Sequence, residues 1–98
     1  MAGIVINLDT IVSKASEQVS VDAGDDVVVL NAKTGIYFSL DDVSMNIWEM
    51  LEKPVGVRAI LERLLLDYEV DAARCEKDLL SFLTDLVGQG LITEIQNT

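Results

Sequence analysis

Histidine is absent from this chain of 98 residues, and cysteine and proline occur once each. Without an imidazole, the commonest metal ligand and the commonest general base are both missing. A Ser–His or Cys–His nucleophile pair cannot be assembled from such a chain. The lone Cys75 cannot form an intrachain disulfide, so oxidative stapling is excluded and a reducing compartment, the cytoplasm, is expected. Basic residues are also scarce: Lys plus Arg number 7 against 17 for Asp plus Glu, a net charge of -10. Nucleic-acid affinity rests on cations that release counterions from phosphates, so general DNA or RNA binding is disfavoured. The same balance argues against anionic membrane surfaces and is compatible with a basic partner. No apolar run reaches the ~18 residues of a membrane span, and no basic region precedes an apolar run at the N-terminus. Neither catalysis nor a metal or cofactor is expected.

What the chain does have is hydrophobic patterning of two periods. Ile4-Val5-Ile6 and Ile11-Val12 are rich in β-branched residues, and Gln18–Val21 alternates, which predicts one or two strands. Asp22–Asp26 supplies turn chemistry, and Val27–Leu30 reads as a buried strand. Gly35, at the end of the Asn31–Gly35 loop, can take the positive φ that a tight return needs before Ile36–Leu40. The period then changes. Asp41 and Asp42 are helix caps, and Val43, Ile47, Met50 and Leu51 recur at helical spacing beside Trp48. That helix runs to about Leu51, with Pro54 as its stop. A second spans about Val57 to Tyr68 on an apolar stripe of Ile60, Leu61, Leu64, Leu65 and Tyr68. Asp71 caps a third, lined by Cys75, Leu79, Phe82, Leu83, Leu86 and Val87 and closed by Gly88 and Gly90. Leu91–Ile95 is a short final strand.

This order predicts an α+β fold and one domain over residues 1–98. An N-terminal hairpin sheet of about three strands leads into a winged helix-turn-helix with a trailing strand. Such folds often bind DNA, and a winged-helix regulator is the alternative from another functional class. Helix three nevertheless carries Arg74 and Lys77 among Asp71, Glu76, Asp78 and Asp85, which is not a basic reading head. Tyr37 and Phe38 must face opposite sides of their strand, and Phe38, sharing its face with Leu40, is assigned to the core. Trp48 is read as packing and Cys75 as a small buried hydrophobe. The Asp25-Asp26 and Asp41-Asp42 pairs are read as turn and cap residues rather than metal ligands. Asp78 reads equally as a groove residue or a solvated helix-face charge.

The run Thr34-Gly35-Ile36-Tyr37-Phe38-Ser39-Leu40-Asp41, followed by Ile47-Trp48-Glu49-Met50-Leu51, resembles the signature of the coenzyme PQQ biosynthesis protein D family. Pro54, Ile60, Leu64, Tyr68-Glu69-Val70, Asp78-Leu79, Phe82-Leu83, Leu86 and Gly90-Leu91-Ile92 continue it, so the likeness covers about residues 25 to 92. Ser44 stands where Gly or Ala is common, and Asp41 where Asn is frequent. Gly56 and Ala59 replace a Thr-x-x-Glu helix start, which leaves the start of helix two open by a residue or two. The resemblance implies a recognition element for the leader peptide of ribosomally made, modified peptides, with no catalysis of its own. It implies that the leader adds as an antiparallel strand to the edge formed by Ile36, Tyr37, Phe38, Ser39 and Leu40. Helix three would face it through Arg74, Lys77, Asp78, Ser81, Phe82 and Asp85. A lasso-peptide pathway is preferred, with a separate leader peptidase and a cyclase or other modifying enzyme as partners. The alternative within the family is the PQQ pathway, where the protein presents its precursor to a radical enzyme.

Overall fold

The structure, a computed structural model, describes residues 6–16, 18–23 and 26–95. Its elements are β1 (Ile11–Lys14), β2 (Gln18–Ala23), β3 (Asp26–Asn31), β4 (Tyr37–Leu40), α1 (Asp42–Met50), β5 (Val55–Gly56), α2 (Val57–Asp67), α3 (Ala72–Gly88) and β6 (Ile92–Ile95). The strand read at Ile4-Val5 and the turn centre Gly24-Asp25 lie outside the described residues. The architecture is α+β, with antiparallel strands first, three helices next and one strand last, as the sequence predicts.

The hairpin forms where β-branched runs flank the Gly35 turn. Gly35 has φ +78, a conformation that costs glycine little because it has no Cβ. Val29 stands opposite Phe38 and Val27 opposite Leu40, so four apolar side chains share one face. Of these, Val29 and Leu40 are buried, and Phe38 and Val27 pack half-buried against the same core. Phe38 therefore faces inward, as assigned, and Tyr37 is 66% exposed. Ser20, opposite Val29, also lies on the inner face, where its Oγ accepts the Trp48 Nε1–H at 3.1 Å. Trp48 is buried on α1, with the Lys14 ammonium 4.7 Å from its ring centroid. Packing is its role.

Two sheets result rather than one. β2, β3 and β4 form the first in that order; β1 lies between β5 and β6 in the second. The two-residue strand β5 carries no periodic signal of its own and was not legible. It arises because Pro54 leads the chain out of the α1 turn alongside Ile11 and Val12. Helix α1 has by then ended, closed at Leu51, whose N–H donates to Trp48 O at 3.1 Å.

The start of α2 falls at Val57, although Gly56 offers it no side-chain cap. Backbone carbonyls from the N-terminal segment replace that cap. Val57 N–H donates to Thr10 O (2.9 Å) and Arg58 N–H to Leu8 O (3.1 Å), satisfying donors that every helix start leaves open. Helix α3 is capped locally by Asp71, which accepts the Arg74 N–H at 2.9 Å. It ends in a Schellman motif: Leu91 N–H bonds Leu86 O and Gly90 N–H bonds Val87 O, both at 3.0 Å, with Gly90 at φ +74. Leu79, Leu83 and Leu86 bury the helix against a core completed by Leu51, Val57, Ile60, Leu64, Leu91 and Ile92.

Candidate functional site

Strand β4 has β3 on one side and, among the described residues, no strand on the other. The ladder fixes which of its groups are open. Asn31 N–H donates to Ile36 O at 2.8 Å, so Asn31 and Ile36 form a hydrogen-bonded pair. Such pairs alternate along antiparallel strands, which makes Val29–Phe38 and Val27–Leu40 the next two. Tyr37 and Ser39 therefore turn their N–H and C=O groups away from β3, toward the open edge. Ile36, Tyr37 and Ser39 are exposed, whereas Phe38 and Leu40 anchor the strand from within.

Helix α3 meets the β3–β4 hairpin and its continuation at two points, one near each end of β4. At one end the Asn31 Nδ2 donates to Gln89 O at 2.8 Å, tying the start of the hairpin return to the helix C-terminus. At the other end Val43, just beyond β4, lines a pocket of about 420 Å³ with Val70, Asp71, Arg74, Cys75 and Asp78. Ile36 to Val43 spans about 20 Å of mostly extended chain, and Cys75 to Gln89 about 21 Å of helix, so the two segments match in length. The strand and the helix are antiparallel walls.

At about 100° per residue, the exposed face of α3 can be ordered around the buried Leu79–Leu83–Leu86 line. Cys75 and the half-buried Phe82 form its shoulder toward the pocket, and Asp78 and Asp85 follow. Arg74 and Ser81 lie near the crest. Lys77 is just over it, on the side turned from the pocket, so of the proposed stripe it stands apart. Arg74 is not a free cation: its Nε lies 3.9 Å from Asp78 Oδ2, one turn along, in an exposed pair of little energetic weight. Two cations, one so engaged, leave α3 without a phosphate-binding face.

Two positions read as core turn out to belong to this pocket. Val43 is 41% exposed rather than packed, because it precedes the turn of α1 that reaches the interior. Cys75 is half-buried at the pocket wall rather than sealed in the core. Burial pushes its thiol pKa up from 9.0, and the Asp78 carboxylate adds to the rise, so it stays protonated. Val70, 51% exposed, was named only as part of the family pattern. The missed signal was an apolar residue outside a helical stripe, next to the Asp71 cap. Asp41 is the cap it was read to be, holding the Ser44 N–H at 2.8 Å. Among the described residues no His, Cys, Asp or Glu cluster could hold a metal ion, and no helix is long and apolar enough to cross a membrane.

An open strand edge, a helix reached at both ends of that strand and an apolar pocket at one of them define a small α+β domain with an unpaired edge. The chain belongs to the family described as Coenzyme PQQ synthesis protein D (PqqD), whose model matches residues 26–92. Among curated relatives, the PqqA binding protein of Rhodopseudomonas palustris (strain HaA2) is 33% identical over 54 residues, covering 55% of this chain and 53% of that protein. The PqqA binding protein of strain ATCC BAA-98 / CGA009 is 29% identical over 58 residues, covering 59% of this chain and 57% of that protein. The chain thus spans little more than half the length of the curated relatives it matches. Of solved structures, TbiB1 in complex with the TbiA(beta) leader peptide superposes with a TM-score of 0.75 and 33% identity, covering 87% of this chain and 99% of that one. A lasso peptide synthetase B1 complexed with its leader peptide shares the fold at a TM-score of 0.73 and 22% identity, over 84% of this chain and 96% of that one.

Proposed function

We propose that this chain is a non-catalytic recognition protein for the leader segment of a ribosomally made precursor, in a lasso-peptide pathway. The leader lies along β4 as an added antiparallel strand, with the open Tyr37 and Ser39 groups giving affinity and the α3 wall giving selectivity. Ile36 to Leu40 form the edge, and Cys75, Asp78, Phe82 and Asp85 face the guest from the helix. Arg74 and Ser81 border it, and Lys77, over the crest, stands outside it. The pocket between Val43, Val70 and Cys75 takes an apolar side chain. Asp78 and Asp85 suit a basic residue on the guest. The observation that carries this reading is the open β4 edge opposite α3, in a fold shared over nearly the whole of a protein solved with its leader.

Holding the precursor raises the effective concentration of its cleavage site at a separate leader peptidase, with a cyclase or other modifying enzyme acting on the core. No catalytic group is then needed in this chain. The lasso reading is preferred over PQQ synthesis because a lasso peptide synthetase B1 complexed with the leader peptide shares this fold over 84% of this chain. Titrating the labelled protein with the TbiA(beta) leader, and with a display library built on it, tests the proposal. Amide shifts confined to residues 36–43 and 70–85 are expected. No binding by any member, or shifts on another surface, would overturn it.

A further inference from the structure

Asn31 is the one buried polar residue among those described, at 5% exposure, and it sits at the junction of both groove walls. Its Oδ1 accepts the N–H of Lys33 at 2.9 Å and of Thr34 at 3.2 Å. Its backbone N–H donates to Ile36 O and its C=O accepts the Gly35 N–H, both at 2.8 Å. One residue therefore shapes the whole return that launches β4. The remaining group, Nδ2, reaches out of the loop and donates to Gln89 O at 2.8 Å. Gln89 is the C-cap of α3, whose carbonyl no residue of the helix can satisfy.

Gly90 makes the approach possible. A Cβ there would stand 2.6 Å from Asn31 Nδ2, and its φ of +74 is itself unfavourable for other residues. The two ends of the groove are consequently held in different ways. At the Leu40 end, β4 continues directly into α1, whose Val43 lines the pocket with Arg74, Cys75 and Asp78 of α3. At the Ile36 end, the hydrogen bond that joins the loop to the end of α3 among the described residues is that of the Asn31 side-chain amide.

We propose that Asn31 is a positioning residue for peptide recognition: its amide clasps the β3–β4 loop to the end of α3 and sets the width of the groove. This rests on the function proposed above. Aspartate discriminates the clasp from the loop, because a carboxylate keeps both acceptor bonds but cannot donate to Gln89. It would also place negative charge against the negative end of the α3 dipole.

The test compares the unsubstituted chain with Asn31→Asp and with Gly90→Ala, which crowds the clasp from the helix side. Asn31→Ser, whose hydroxyl is too short to reach α3, replaces Asn31→Asp if that variant does not fold. Two readouts are taken. One is the Kd for the TbiA(beta) leader. The other is the distance distribution between spin labels at Lys33→Cys and Gly88→Cys in a Cys75→Ser background. We expect the clasp variants to remain folded, to bind at least tenfold more weakly and to show a broader, longer distribution. A lowered melting temperature with unchanged Kd and unchanged distances would overturn the proposal and leave Asn31 a stability residue. Should the unsubstituted chain bind neither that peptide nor any member of the library built on it, the proposed function falls. The distance readout then decides on the clasp alone, and an unchanged distribution overturns it.

Discussion

Among the described residues, Asp41 and Cys75 are the side chains whose ionisation the fold shifts, and they shift in opposite senses. The Asp41 carboxyl is held below its usual 3.8, first by the hydrogen bond from the Ser44 backbone N–H and then by the Ser44 side chain. Its stabilisation is thus complete above the unfolded value and is lost as the pH falls through the lower folded one. Asp41→Ala should cost about 1 kcal/mol at pH 7, the usual worth of an N-cap. Urea unfolding from pH 2 to 7 should show that difference shrinking only below the ordinary carboxylate range. Cys75 moves upward, so its stabilising contribution is present below 9.0 and declines as the pH rises through the higher folded value. Iodoacetamide at pH 8 should alkylate it severalfold more slowly than in the unfolded chain. Asp78→Asn should recover part of that rate, since the neighbouring carboxylate is the second cause.

Elements divide according to whether their signals are local. The β3–β4 hairpin, the Asp41 and Asp71 caps and the Gly90 ending were all legible, because each is decided within about five residues by turn or cap chemistry. By contrast, β5 and its pairing with β1 were not, and neither was the capping of α2 by Leu8 and Thr10. Those depend on partners some 50 residues away, which no periodicity encodes. In the groove, the Tyr37-Phe38 alternation showed which ring turns inward, whereas the strand edge followed only from the family resemblance. The exposure of Val43 was not legible, because helical spacing alone cannot distinguish the first turn from the buried one. Strand β4 allows a sharp test of edge addition. Ser39→Pro removes an N–H that faces away from β3, and edge strands tolerate proline at such positions. The variant should remain folded by circular dichroism yet lose binding of the TbiA(beta) leader. Phe38→Pro removes an inward N–H and a packed ring together, and should cost about 2 kcal/mol or more in a denaturant series.

At the scale of the molecule, both sheets and all three helices close on one core, so unfolding should be a single cooperative step. Leu51 is fully buried where α1 turns toward β5, and its carbonyl accepts the Lys14 N–H from β1 at 3.4 Å. Leu51→Ala should cost about 2–5 kcal/mol, a large share of the roughly 5–15 kcal/mol available to a domain of this size. One transition, shifted to lower urea without a change of slope, would bear this out; two transitions would deny the shared core. The charge of -10 has a narrower consequence than its size suggests. In the proposed groove, its part in recognition would fall to Asp78 and Asp85 on the α3 shoulder. Asp78→Lys should weaken a basic guest while leaving unfolding nearly unchanged, and unchanged affinity would return Asp78 to the solvated surface.

The opposed directions of β4 and α3 give the groove a sense of travel. A guest antiparallel to β4 enters beside Val43 and leaves beside the Asn31–Gln89 contact, running the same way as α3. Everything downstream in that guest emerges from one fixed doorway, at the far end from the apolar pocket. In the proposed pathway, an enzyme that cuts or closes the emerging segment would have a single place to wait, and the number of residues between pocket and doorway would act as a ruler for where it works.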